Sequence, residues 1–402
     1  MTAHTAEAIV VGAGVIGTSI AFHLAEKGIK TVVIDRGGVA GGTTGASGAL
    51  VRMHYTDPYQ AKLAHESLPY FADWRHRVGV GDPGFVPAGV LVVGSPSNAA
   101  AIRANVRMLQ SVGANTCVIN GDIALRLQPW LNPFISDIDV CAFEPDSGCA
   151  EPSDTARSFA DAARKHGAEI VTGQAVTTIN TANGRVVSVS TTGGDWSAPI
   201  VIVAANVWSG PLLTRLGVEL PIAVTRTGAF LLRRKGELPL GRDGHMVVLD
   251  RAHSFYFRPY GETETLAGGS GRSRPTQSAD DYDEHADEQL ISGVSKLIAR
   301  LVPSMESAQV TSGWSGITDN TPDGCPIFDA HVGADGLFLA AGFSGTGFKI
   351  SPYVGQLMAT WAATGQRPVD AAPFALSRFQ AGKHIVAEHP YVLEDVEAQT
   401  CD

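Results

Sequence analysis

The run AIVVGAGVIGTSIAFHLAEKG, with IKTVVID directly after it, leaves few folds open to this chain. AIVV is short and β-branched, VIGTSIAFHLAEK carries apolar residues at helical spacing up to Gly28, and KTVVI is a second buried run closing on Asp35. The order predicted is strand, helix, strand. Gly12 permits a tight turn, Gly14 lets the backbone approach a pyrophosphate, and Gly17 lets helix and strand pack closely, with the helix dipole facing the anion. Val15 and Ile16 open the helix, and Asp35 stands where a carboxylate accepts from a ribose. This context makes GAGVIG a dinucleotide fingerprint in a parallel α/β sheet.

A second glycine-rich turn complicates that picture. AAGFSGTGFKISPYVG, Ala340 to Gly355, breaks the apolar run LFLAA with Gly342, Gly345 and Gly347, and Lys349 follows at the start of a helix. Such turns at strand-to-helix junctions hold phosphate or other anions. One chain with two of them needs either two ligands or one long one.

Between these ends, helices are predicted over DPYQAKLAHESLPYFADWRHRVG, with Asp57 as cap and Pro58 at its first position, over SNAAAIRANVRMLQSVG, capped by Ser97 and stopped by Gly113, and over EPSDTARSFADAARKHG. EIVTG reads as a strand, Asn183-Gly184 as a two-residue hairpin turn, and APIVIVAAN as a third all-apolar strand of a parallel sheet. LPIAVTRTGAFLLRR, HMVVLD, SFYFRPY and TLAGGSG alternate like antiparallel strands. The two patterns interleave, so a discontinuous cofactor domain is expected from residues 1–84, 146–216 and 312–402. A sheet-rich substrate domain is expected from 85–145 and 217–311.

Composition narrows the function classes. With 402 residues, 44% hydrophobic and 17% charged, the chain can bury a large core in about two domains. A net charge of -10 offers nucleic acid no basic surface. The acidic run DDYDEHADE reads as a solvated face leading into a helix. Five cysteines without a CxxC pair argue against a disulfide framework or a metal site and suit a reducing cytosol. No apolar stretch reaches a membrane span and no signal-like start is present, so a cytoplasmic protein is expected.

GAGVIG with VVIDRG, TTGASGALVRMHY, EIVTGQAVTTI, VIVAANVWSG, FYFRP, NTPDGCPIFD and GLFLAAGFSGTGFKISPYVG, in this order, resemble the flavin-dependent amine oxidoreductases of the D-amino-acid oxidase superfamily, above all sarcosine oxidase and dimethylglycine dehydrogenase. The likeness runs from about Ala8 to Gly365. It implies a Rossmann-like FAD domain interleaved with a mainly antiparallel substrate domain, and it resolves the two glycine loops: both grip one FAD. The N-terminal loop would hold the ADP half; Gly342, Phe343, Gly345, Thr346, Gly347, Phe348 and Lys349 would lie against the flavin ring. By position, Asp35 and Arg36 fall at ribose and adenine, Thr43, Thr44, Ser47 and Gly48 at pyrophosphate and flavin, and Val176 at adenine. Ala204, Asn206 and Trp208 fall in a cofactor turn where Asn206 replaces the usual glycine; asparagine tolerates the left-handed backbone such a turn needs.

The resemblance implies hydride transfer to flavin from the carbon beside an amine nitrogen, giving an imine that water hydrolyses. Arg52 and Lys349 would clamp the substrate's carboxylate by charge-assisted bonds worth ~1.5 to 3 kcal/mol each. His54, Tyr55 and Tyr256 are candidates to line the pocket, and Arg258 could add charge. Two features depart from single-chain sarcosine oxidases. Gly316 stands where those carry the flavin-bonding cysteine, with Cys325 not its counterpart, so FAD is expected to be non-covalent, a histidine linkage staying open. Thr263 to Gly271 lacks the lysine that activates dioxygen, so the electron acceptor is dioxygen or a protein or quinone. Alternatives are a 2-hydroxy acid dehydrogenase using His54 or His253 as base, a flavin-bearing subunit of a larger complex, and a nicotinamide dehydrogenase, which leaves the late glycine loop unexplained.

Overall fold

The structure, a computed structural model, describes residues 4–235, 244–269, 274–276 and 278–394. Cys401 and the end of TLAGGSG, Ser270-Gly271, lie outside the described residues.

The β-branched runs that are apolar on both faces form one six-stranded sheet in the order Ile327–Ala330, Leu337–Ala341, Ile200–Val203, Ala8–Val11, Thr31–Ile34, Glu169–Val171. Its strands pair in parallel apart from the antiparallel Ile327–Ala330 edge. Every residue of Ala8–Val11, Thr31–Ile34 and Leu337–Ala341 is buried, as expected of strands covered on both faces. Helix α1, Val15–Glu26, is equally buried along nearly its whole length. It lies against α2, Pro152–Lys165, and α3, Gly347–Thr364. Burial of side chains such as Ile20, Phe22 and Leu24 contributes ~1.5 to 3 kcal/mol each. The α1–α3 contact depends on Gly355, where a Cβ would stand 2.1 Å from Ser19 Oγ.

A second sheet is mainly antiparallel. The long strand Ala223–Arg233 pairs with Glu264–Gly269 on one side and along its whole length with Gln309–Asn320. Phe255–Tyr260 and Val247–Asp250 continue the sheet. Val247–Asp250 then pairs in parallel with Val90–Val93, a connection that the alternating pattern did not suggest, and Cys141–Glu144 and Cys117–Ile119 complete it. The Asn183-Gly184 hairpin forms with both turn residues at positive φ, 51° and 75°.

Local signals hold in most places. Asp57 caps the helix Pro58–Ala72 by accepting from the Gln60 N–H at 2.8 Å, and Asp287, near the end of the acidic run, caps Glu288–Leu301. Ser97 does not cap its helix. Pro96 opens a 3-10 turn over Pro96–Asn98, the α-helix runs Ala99–Ser111, and Asn98 at the junction turns its side chain to Val392. Among the described residues no helix is long and apolar enough to cross a membrane.

Candidate active site

The carboxyl ends of three adjacent parallel strands carry three turns. Val11 runs into GAGVIG, Val203 into the turn at Asn206, and Ala341 into GFSGTG. The two glycine loops, distant in sequence, thus flank one strand at the same sheet edge, the usual place for a ligand in such sheets.

Two cavities open there. The larger, about 580 Å³, is walled by Gly12, Gly14, Asp35, Arg36 and Val176 and, across from them, Ala204, Asn206 and Trp208. The smaller, about 380 Å³, is lined by Ser47, Gly48, Tyr256, Gly345, Gly347 and Phe348. Val15, Ile16, Thr43, Thr44, Asn206 and Phe343 border both, so one extended ligand can pass from one to the other.

At Gly12 and Gly17 the backbone leaves no room for a side chain. A Cβ on Gly12, whose φ is 109°, would lie 2.5 Å from Ala204 O, and one on Gly17 would lie 1.9 Å from Gly12 O. Gly14 is less crowded, 3.1 Å from Thr44 Oγ1, and its missing side chain opens the cavity wall instead. Asp35 accepts from the Ala13 and Gly37 N–H groups, both at 2.7 Å, which fixes its carboxylate on the cavity rim. Asn206 adopts φ 52°, the left-handed conformation predicted for the glycine position. Gly342 and Gly345 also take positive φ, and α3 starts at Gly347 with no side-chain cap, so its first N–H groups face the smaller cavity.

Several residues that shape the site escaped the sequence reading. Asp319 lines the smaller cavity and its carboxylate accepts from the Gly342 N–H at 2.6 Å, pinning the late glycine loop. Burial pushes its pKa up to about 6, against the bonds it accepts from that loop's backbone. It lies directly beside NTPDG, but a lone aspartate gives no sign of burial. The acidic run is likewise not only a solvated face. Asp280, Tyr282 and Glu284 line the larger cavity, and Asp280 accepts from Arg36 at 2.5 Å and from Trp208 Nε1 at 2.9 Å while the Arg36 guanidinium lies 4.0 Å over the Trp208 ring.

Lys349 and Arg52 meet around the ring of Tyr55, and none of these three residues lines either cavity. Lys349 Nζ stands 5.8 Å from the ring centroid and Arg52 Cζ 4.8 Å. Burial first, and the Arg52 charge second, hold the Lys349 pKa well below the ordinary lysine value. Neither cation forms an ion pair among the described residues; Lys349 donates to Thr346 O at 3.4 Å and Arg52 to His54 O. The Tyr55 hydroxyl is buried, and burial raises its pKa.

Tyr256 does reach a cavity. Its ring lines the smaller cavity, wedged where Gly48 and Gly268 lack side chains, and burial raises its pKa to about 12. Arg258 is not at the cavity: it donates to Gly48 O at 2.8 Å and Pro259 O at 3.0 Å and pairs with Glu151, so it braces the Gly48 loop from behind. The two histidines offered as bases line neither cavity. His54 Nε2 meets Tyr391 Oη at 2.5 Å, and His253 is paired with Asp250. At Gly316 a Cβ would stand 2.7 Å from that of Ala46, and Cys325 is buried against Gln60.

A sequence model of the family described as FAD dependent oxidoreductase (DAO) matches residues 7–361. The chain belongs to this family. Two relatives of the DAO-family protein are similar over nearly their whole length: glycine oxidase of Geobacillus kaustophilus, 26% identical over 93% of this chain and 97% of the relative, and human peroxisomal sarcosine oxidase, 25% identical over 93% and 96%. Among solved structures, that glycine oxidase superposes with a TM-score of 0.81 over 93% of this chain and 99% of the other at 26% identity. L-proline dehydrogenase from P. horikoshii superposes with a TM-score of 0.87 over 95% and 100%, and at 22% identity shows the fold. The cofactor of the family is FAD, and the close-packed glycine cradle suits its pyrophosphate.

Proposed function

We propose that this DAO-family protein oxidises the C–N bond of a small amino acid or N-substituted amino acid. The observation that carries this reading is the half-buried Arg52 and the buried Lys349, two basic side chains around one tyrosine ring with no ion pair to an acid among the described residues. Like charges brought this close, with neither bonded to an acid among the described residues, favour an anion between them. A substrate carboxylate supplies it, held by the Arg52 fork and the Lys349 ammonium. FAD, when bound, supplies the hydride acceptor that turns the amine into an imine, which water hydrolyses.

The chain's own residues position and shield. Tyr256 walls the reacting side of the smaller cavity, Asp319 keeps the glycine loop in place, and the uncapped start of α3 favours negative charge at that end of the cofactor. The crowding at Gly316 favours non-covalent FAD. Residues 1–84, 146–216 and 312–402 would form the cofactor domain, with 85–145 and 217–311 as the substrate domain. A reducing cytosol suits the four free cysteines among the described residues.

The test is anaerobic bleaching of the flavin by a panel of small acids. Glycine, sarcosine or proline should reduce it, and Arg52→Ala should stay yellow while losing that response. Reduction by lactate or 2-hydroxyglutarate alone would favour a hydroxy acid and sink the amine reading. Repeating the panel in air with hydrogen peroxide as readout separates dioxygen from a quinone or protein as acceptor.

A further inference from the structure

The family match stops at residue 361, yet a later segment reaches His54, whose carbonyl accepts from Arg52. Residues 389–394 lie across the helix Ala99–Ser111 and are fastened by two buried asparagines. Asn105 Nδ2 donates to His389 O at 3.0 Å, Asn98 Nδ2 donates to Val392 O at 3.0 Å, and the Val392 N–H donates back to Asn98 Oδ1 at 2.7 Å. The Glu394 N–H donates to Ala252 O at 2.8 Å. This docking holds Tyr391 with its ring 4.8 Å from Arg251 Cζ and its hydroxyl 2.5 Å from His54 Nε2.

His54 is the residue on which Arg52 leans. Its backbone carbonyl accepts from the Arg52 guanidinium, and the neighbouring Met53 N–H donates to Glu144 Oε2 at 2.9 Å. The imidazole is neutral, because burial first, then the charges of Arg251 and Arg52, push its pKa well below the usual value. Burial also keeps Tyr391 protonated. Tyr391 Oη and His54 Nε2 share that one hydrogen bond, while His54 Nδ1 faces Glu144 Oε1 across 3.8 Å.

We infer that Tyr391 is a substrate-positioning residue: by fixing His54 it sets where the Arg52 fork points, so a segment outside the family match tunes carboxylate recognition. The inference rests on the assignment of Arg52 as carboxylate anchor.

Acetate, titrated into the FAD-loaded enzyme and followed by the flavin spectrum, probes the niche without turnover. Tyr391→Phe keeps the ring against Arg251 and removes only the hydroxyl. It should raise the acetate Kd about five- to tenfold, because the Arg52 fork is no longer held in place before the anion arrives. Substrate KM should rise in step, with kcat and flavin content unchanged and Tm lowered slightly by the lost buried hydrogen bond. In the Arg52→Ala background the same change should cost nothing further, because Tyr391 acts through Arg52. Wild-type acetate affinity in Tyr391→Phe, or losses that multiply in the double variant, would overturn the inference. If Arg52→Ala alone weakens acetate, Tyr391→Phe does not, and amines still bleach the flavin, this inference fails while the amine reading stands. If wild-type enzyme neither binds acetate nor is bleached by amines, both fail.

Discussion

Lys349 stores a titration signal. Its proton affinity is held down by burial and by Arg52, and a carboxylate placed between the two basic side chains would offset both by its opposite charge. Binding should therefore raise the lysine pKa, so the complex takes up protons and carboxylate affinity weakens as pH rises between the free and bound pKa values. Calorimetry of acetate binding in two buffers of different ionisation enthalpy measures that uptake, and Lys349→Met should abolish it. Asp319 titrates in the opposite sense. Its folded pKa of about 6 lies above the ordinary 3.8, so the folded protein holds the extra proton, and the group's contribution to stability falls as pH rises through that window. Relative to Asp319→Asn, the wild-type apoprotein should lose Tm between pH 4 and 6 and keep a constant difference above pH 7. A flat difference across the whole range would mean the carboxyl is not perturbed. Neither group's state could be read from sequence, since burial is a property of the chain segments that surround it.

At the scale of elements, the glycine loops were legible because their spacing records a steric demand. Gly12 and Gly17 each sit where a Cβ would strike backbone, and Asn206 takes the one conformation that made it a credible stand-in for glycine. Gly14 differs, since its Cβ would meet only a side-chain oxygen at 3.1 Å. Gly14→Val should therefore fold with a normal circular dichroism spectrum yet purify colourless, its methyl groups occupying the space of the pyrophosphate. A yellow Gly14→Val protein with wild-type FAD content would remove the N-terminal loop from the cofactor site. What spacing could not convey is which partner an exposed-looking residue meets. The Asp280 to Glu284 stretch has the composition of a solvated face and became a cavity wall, while Arg258, two residues from Tyr256, turned behind the Gly48 loop. Ser97 lost its predicted cap to a proline that began a 3-10 turn one residue earlier.

Across the whole molecule, the site joins segments from everywhere in the chain. The N-terminal βαβ unit supplies Gly12 to Asp35, the long antiparallel pairing supplies Thr225 to Ala229 and Gly316 to Asn320, and the last parallel strand leads into the second glycine loop. Folding must bring these together before any ligand finds a complete cradle, which makes cofactor loading a report on global order. FAD at a hundredfold excess over its Kd adds about 2.7 kcal/mol to stability, so the Tm of apoprotein should climb on titration. Hydrogen exchange gives the sharper measurement. The Arg36–Asp280 pair is about half exposed and worth only ~0.2 to 1 kcal/mol, too little to hold the Ala279–Glu284 wall closed by itself. FAD should slow exchange there as well as at Gly12–Gly17 and Gly342–Phe348, with Asp280→Ala changing FAD affinity by no more than about fivefold. Protection confined to the two glycine loops would mean that the acidic wall stands clear of the cofactor and that the larger cavity is closed by something else.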